Sequence, residues 1–227
     1  MKKQILIVGL GRFGMPLAAA LFDVGHDVLA IDTDDKKVQE AAVRITHAVQ
    51  ADATSETVLR ELGAGNFDMA IVTTGSEVEA SVLATILLKK LGVPYIIARA
   101  NSDLHGSILD KIGADKVVYP EKEMGLRIAR EVEMEGITDF IPLGEKYGIA
   151  KVAAPAGFAG EKLGALGFGP RGHYDLAVLL IRRGEEAVVS PDINDIVLAG
   201  DILIIAGDIT RLEQMLSDVK RNGAKSK

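Results

Sequence analysis

Apolar residues fall along the first two-thirds of this chain in two alternating rhythms. Short Ile-, Val- and Ala-rich runs occur at Gln4–Val8, Asp27–Ile31, Ala48–Ala51, Asp68–Thr73, Tyr95–Ala98 and Lys116–Tyr119. Several lack polar alternation, which predicts strands buried on both faces of a parallel sheet. Between them lie longer segments with helical spacing. Met15–Val24 carries Leu17, Leu21 and Val24, Thr33–Arg44 carries Val38, Ala41 and Ala42, and Glu77–Leu91 carries Val78, Val82, Ile86 and Leu87. Ser55–Leu62, Leu104–Ile112 and Glu121–Met134 complete the set. Six strands with intervening helices predict an α/β fold, a doubly wound, Rossmann-like parallel sheet. Right-handed crossovers then place helices on both of its faces.

The rhythm changes near Glu135. Residues 135–144 read as an extended linker, because Pro142 disfavours helix in the residue before it. Beyond it, Ile149–Ala153, Ala177–Ile181, Ala187–Ser190 and Asp201–Ala206 read as strands. Gly160–Leu166 and Ile209–Val219 read as helices. The expected organisation is a nucleotide-binding lobe over 1–134, a linker over 135–144 and a small α+β lobe over 145–227.

Composition narrows the classes. The chain has 227 residues, 48% of them hydrophobic and 26% charged, which excludes a disordered protein. Its net charge of −6 argues against a nucleic-acid partner, which a positive field would attract. With no cysteine, disulfides, thiolate metal sites and thiol nucleophiles are excluded. No apolar run approaches the roughly 20 residues that span a bilayer.

The chemistry begins at Gly9-Leu10-Gly11-Arg12-Phe13-Gly14, which closes the first predicted strand and opens the first helix. In that context Gly9 suits the tight turn, Gly11 the approach of a phosphate, and Gly14 close helix–strand packing. The helix N-terminus attracts the phosphate. Asp32 ends the second strand, where a carboxylate accepts from both ribose hydroxyls and repels a 2′-phosphate. Two more loops fall at strand C-termini. In Asp52-Ala53-Thr54, Asp52 can meet the adenine edge and cap the next helix, two compatible roles, and Thr73-Thr74-Gly75-Ser76 either lies beside the ligand or forms a turn and cap. Arg99, one residue past the fifth predicted strand, belongs with the same ligand side. Arg12 stands inside the glycine loop, where a guanidinium suits a terminal phosphate better than a bridging one.

Catalytic groups are harder to find. A dehydrogenase needs a proton donor or acceptor near its nicotinamide. Of His26, His47, His105 and His173, only His105 follows a strand on the ligand side, and it reads as a helix-start residue. Tyr147 and Lys151 have the Y-x-x-x-K spacing of short-chain reductases, but in a strand they lie about 13 Å apart. The lobe reads as one that binds a nucleotide without transforming it.

Taken together, the glycine loop, Asp32, Lys111-Ile112-Gly113-Ala114-Asp115 and Pro120-Glu121-Lys122-Glu123-Met124-Gly125 resemble the RCK/KTN family of potassium-uptake regulatory subunits, in its single-copy KtrA-like form. The resemblance implies a TrkA-N lobe followed by a TrkA-C lobe. It implies a homo-oligomer, dimers assembling into an octameric ring, docked on the cytoplasmic face of a membrane K⁺-translocating subunit of the KtrB or TrkH type. ATP and ADP would bind the first lobe and control K⁺ flux. Arg12 would reach the γ-phosphate, Asp32 would hold the ribose, and Asp34 would join the binding site at a position where close relatives can have Asn. Glu121 would help hold a divalent cation, Mg²⁺ or Ca²⁺, at that phosphate, or serve only as a helix cap. Some relatives bind cyclic di-AMP in the second lobe, where Arg171 and His173 lie in the corresponding loop. The other readings are an NAD(H)-binding redox sensor or oxidoreductase, and the cytosolic ring of a ligand-gated potassium channel.

Overall fold

The structure is a computed structural model that describes residues 2–74, 77–133, 136–169 and 172–224. Packing divides the chain into two compact units on either side of Glu123–Met124.

In the first unit, β1 (Gln4–Val8), α1 (Gly14–Asp23), β2 (Asp27–Asp32), α2 (Asp35–Ala42), β3 (His47–Gln50), α3 (Glu56–Glu61), β4 (Met69–Val72), α4 (Val78–Lys90), β5 (Ile96–Arg99), α5 (Asp103–Lys111) and β6 (Lys116–Val118) alternate. The six strands form one parallel sheet in the order β3-β2-β1-β4-β5-β6. Successive residues of β1 serve opposite faces. Ile5 and Ile7 pack with Ala18 of α1 and with Val38 and Ala41 of α2. Leu6 and Val8 pack with Leu59, Ala84, Leu88 and Leu109 from α3, α4 and α5. Two covered faces explain the lack of polar alternation in these strands.

Helix starts in this unit follow their caps. Asp34 accepts from Lys36 N–H, Ser55 from Val58 N–H and Ser102 from His105 N–H. Helices α1 and α4 differ: their N-caps, Phe13 and Glu77, supply no side-chain hydrogen bond.

The second unit carries most of α6 (Pro120–Glu133), then β7 (Ile137–Pro142), β8 (Tyr147–Ala153), β9 (Ala177–Arg183), β10 (Glu186–Val189), β11 (Ile202–Asp208) and α7 (Ile209–Ala224). Its five strands form an antiparallel sheet in the order β10-β9-β11-β8-β7. The core gathers Ile137, Phe140, Val152, Ile181, Leu203 and Ile205 from the strands with Leu212 and Met215 from α7.

Three expectations change here. The stretch 135–144, read as a linker, contains β7, paired from Ile137↔Val152 to Pro142↔Gly148. Proline is compatible with that strand because β7 is an edge and Pro142 ends it. Gly160–Leu166, read as a helix, is a turn-rich segment instead. Its Gly160, Leu163 and Gly164 N–H groups donate to the carbonyls of Val197, Asp195 and Ile193, so distant backbone takes the place of a helical ladder. The packing division falls inside α6 rather than at 134, because residues 121–129 of that helix are all exposed. Among the described residues no helix is long and apolar enough to cross a membrane.

Candidate functional site

Strand order reverses between β1 and β4, and the loops after these strands part there. The cleft they leave is a cavity of about 810 Å³. Its walls come from the loops after β1, β2, β3 and β4, from Arg99 at the end of β5 and from Glu121 in the first turn of α6.

The glycine loop is fixed from two sides. Gly9 takes φ +99°, a left-handed conformation that favours glycine, and its N–H donates to Ile31 O at 2.8 Å. Thr73, buried behind the loop, has its Oγ1 3.0 Å from the Val8 carbonyl and 2.7 Å from the Gly9 carbonyl. Gly14 does not line the cavity. A Cβ there would collide with the Gly9 carbonyl and come within 2.5 Å of Thr73 Oγ1, so Gly14 lets α1 approach the sheet. Gly11, Arg12 and Phe13 do line it, beside a helix start that no side chain caps. Uncapped N–H groups at a helix N-terminus attract anions.

Asp32 anchors the opposite wall. Its side chain is 9% exposed, with Oδ2 accepting from Leu10 N–H at 2.6 Å and Oδ1 from Asp34 N–H at 2.9 Å. The carboxylate thus ties the glycine loop to the β2–α2 turn and keeps acceptor capacity on the cavity side. Lys37 Nζ lies 3.5 Å from its Oδ1 and 3.9 Å from Asp34 Oδ2. Asp34 itself does not line the cavity; its side chain caps α2.

Asp52 and Ala53 line the third wall. Asp52 Oδ1 accepts from Thr54 N–H at 2.9 Å and from Thr54 Oγ1 at 2.7 Å. These two hydrogen bonds, the backbone one foremost, hold its carboxyl below the usual carboxylate range despite some burial. Ser55, not Asp52, is the cap of α3. On the β4 side, Thr74 lines the cavity with its Oγ1 buried and without a hydrogen-bond partner among the described residues. Gly75 lies outside the described residues.

Positive charge gathers at the remaining end. Arg99 Nη1 donates to the Thr73 carbonyl at 3.3 Å, and its Nε and Nη2 both reach the Glu121 carboxylate. Desolvation works to raise the Glu121 pKa, but the Arg99 hydrogen bond, a backbone N–H and the charges of Arg99 and Arg12 together bring it below the usual range. Among the described residues no three His, Cys, Asp or Glu side chains form a metal-holding group. Glu121 therefore meets a guanidinium here, not companion carboxylates.

Lys37, Glu40 and Glu77 also line the cavity and were not singled out from sequence. For Lys37 the signal is its position three residues beyond the Asp34 cap, which turns it back towards Asp32. His105 is buried on α5 away from the cavity, its Nδ1 3.1 Å from Asn101 Oδ1, and burial lowers its pKa. Tyr147 and Lys151 lie on β8, extended as their sequence context predicts. His173 packs edge-on against Tyr174 at 4.9 Å, and Arg171 lies outside the described residues.

The comparisons with known proteins agree with this architecture. The TrkA-N domain model matches residues 5–120 and the TrkA-C domain model residues 149–219. The chain belongs to the TrkA-N/TrkA-C family. This TrkA-N/TrkA-C chain is 40% identical over 223 residues to Ktr system potassium uptake protein C of Bacillus subtilis, covering 97% of this chain and 100% of that one. It is 38% identical over 214 residues to Ktr system potassium uptake protein A of the same organism, covering 93% and 96%. Among solved structures, the GsuK channel bound to NAD shares the fold at a TM-score of 0.65 and 18% identity, over 95% of this chain and 40% of the channel's.

Proposed function

We propose that this TrkA-N/TrkA-C chain is a nucleotide-sensing regulatory subunit of a potassium uptake system and is not itself an enzyme. The observation that carries the reading is the polarity of the cavity. Asp32 and Asp52, in and after β2 and β3, line the same cavity as an uncapped helix start and the guanidiniums of Arg12 and Arg99. Asp32 accepts from ribose hydroxyls, and the two guanidiniums suit the high charge of a terminal phosphate. ATP and ADP are the ligands this polarity favours, and their γ-phosphate difference is the signal. A ligand shifts a conformational equilibrium only through contacts that differ between the states. The Ktr names of relatives that align over their full length support potassium uptake as the controlled process.

Control of flux then belongs to a membrane K⁺-translocating partner of the KtrB or TrkH type, with this chain on its cytoplasmic face. Self-association into dimers and an octameric ring accords with the apolar side chains that α6 leaves exposed, Met124, Leu126, Ile128 and Val132. A divalent cation, Mg²⁺ or Ca²⁺, would take Glu121 together with phosphate oxygens, since hard cations prefer oxygen ligands. Cyclic di-AMP at the second unit is a separate ligand to be tested. The rival first-unit ligand is NAD(H), because the glycine loop and Asp32 serve a dinucleotide equally and a cavity of about 810 Å³ is roomy.

Thermal melting with ATP, ADP, NAD⁺, NADH and cyclic di-AMP side by side tests the reading. A ligand at a hundred times its Kd adds about 2.7 kcal/mol to stability. ATP and ADP are expected to raise Tm saturably. A rise with NAD(H) and none with ATP or ADP would replace this reading with the redox sensor.

A further inference from the structure

Arg99 already has an anion. Its Nε lies 3.4 Å from Glu121 Oε2, its Nη2 reaches Glu121 Oε1, and its Nη1 donates to the Thr73 carbonyl at 3.3 Å. The two partners of this pair are unequally held. The Arg99 side chain is 20% exposed and the Glu121 side chain 67%. Arg99 is fixed by β5 and by the backbone of the Thr73 loop, whereas Glu121 reaches it from the first turn of α6 through solvent. Arg12, Thr73, Arg99 and Glu121 all line the cavity, and Arg99 bridges Thr73 and Glu121.

We propose that Glu121 is an internal competitor for the nucleotide's terminal phosphate: it occupies Arg99 in the empty site, and a triphosphate displaces it while a diphosphate does not. The inference rests on the nucleotide reading above and deepens it. An exposed ion pair contributes about 0–1 kcal/mol, so giving it up costs little. A terminal phosphate brings more charge than a carboxylate and can engage the guanidinium fork with two oxygens. The Thr73 carbonyl keeps Nη1 while the carboxylate leaves, so Arg99 stays aimed at the cavity throughout. A diphosphate that stops one phosphate short leaves the pair closed. The phosphate count of the bound nucleotide is thereby written into the position of a side chain on α6.

Calorimetry on the full chain, with ATP and ADP and divalent cations chelated, tests this in the wild type, Glu121→Gln, Arg99→Gln and the double variant. Glu121→Gln is expected to raise ATP affinity about threefold to fivefold, the scale of a surface ion pair, and to leave ADP within about twofold. In the Arg99→Gln background the same change is expected to alter ATP affinity by less than about twofold, since the competition has lost its object. Arg99→Lys, which keeps the charge without the fork, serves if Arg99→Gln does not fold, and there too the Glu121→Gln gain shrinks. An undiminished gain without Arg99 would overturn the proposal in favour of plain charge repulsion. A loss of metal-free ATP affinity in Glu121→Gln would overturn it by making Glu121 a direct ligand. A wild type that binds neither nucleotide would instead fail the functional reading, and the competition with it.

Discussion

In the first unit β1 buries Ile5, Leu6, Ile7 and Val8 in succession; in the second, β8 buries only every other residue, Gly148, Ala150 and Val152. The difference follows from how the strands are joined. Parallel strands need crossovers, so helices cover both faces of the first sheet and all strand C-termini point one way. Where the order reverses between β1 and β4, the loops diverge and leave a cavity. Antiparallel neighbours can be joined by short turns, as where Leu143 N–H donates to Tyr147 O at 2.8 Å between β7 and β8. In such a sheet strand directions alternate, so the C-termini do not gather along one edge. Chemistry is therefore expected in the first unit, with the second serving packing and assembly.

Breaking each unit separately probes this contrast. The largest effect is expected from Gly14→Val, because a side chain there runs into the Gly9 carbonyl and Thr73 Oγ1. Overpacking of this kind costs about 3 kcal/mol and moves the glycine loop. Hydrogen exchange should show protection falling in β1, α1 and β4 while β8 and β11 keep theirs, and nucleotide binding should vanish. Equal losses in both sheets would mean that the two cores act as one.

Asp201→Asn is the counterpart in the second unit. Asp201 is buried and accepts from Arg183 Nε at 2.9 Å, Arg183 Nη2 at 2.8 Å and Leu198 N–H at 2.8 Å. The Arg183 hydrogen bonds, helped by Leu198 N–H and opposed by burial, lower its pKa. A depressed folded-state pKa stabilises fully above the unfolded value of about 3.9, and that contribution is lost as pH falls through the folded value below it. Asp201→Asn should cost about 2 kcal/mol at neutral pH, less in acid as the wild type loses the same contribution. Denaturant titrations at pH 7 and pH 3 check this, and nucleotide affinity should not change. A fall in ATP affinity would tie the second unit to the cavity.

Sequence carried most of the first unit because its signals are local. Buried runs marked six strands, helical spacing marked the segments between them, and the glycine loop and Asp32 pointed to loops that line one cavity. It did not disclose partners chosen in three dimensions. The Arg99–Glu121 pair links residues 22 apart, and nothing local says that Glu121 meets a guanidinium. Lys37 escapes notice because a lysine on an amphipathic helix is ordinarily a solvated one. In the second unit the alternating strands were legible, but β7 was masked by Pro142. The Gly160–Leu166 turns looked helical because their partners, Ile193, Asp195 and Val197, lie about thirty residues away.

The guanidiniums lining the cavity are expected to tell a triphosphate from a diphosphate. Calorimetric titration of Arg12→Ala with ATP and with ADP addresses this most directly. Losing one charge-assisted contact to a terminal phosphate should weaken ATP about tenfold and leave ADP within about twofold. Equal losses for the two nucleotides would contradict the account and make Arg12 a general anion attractor.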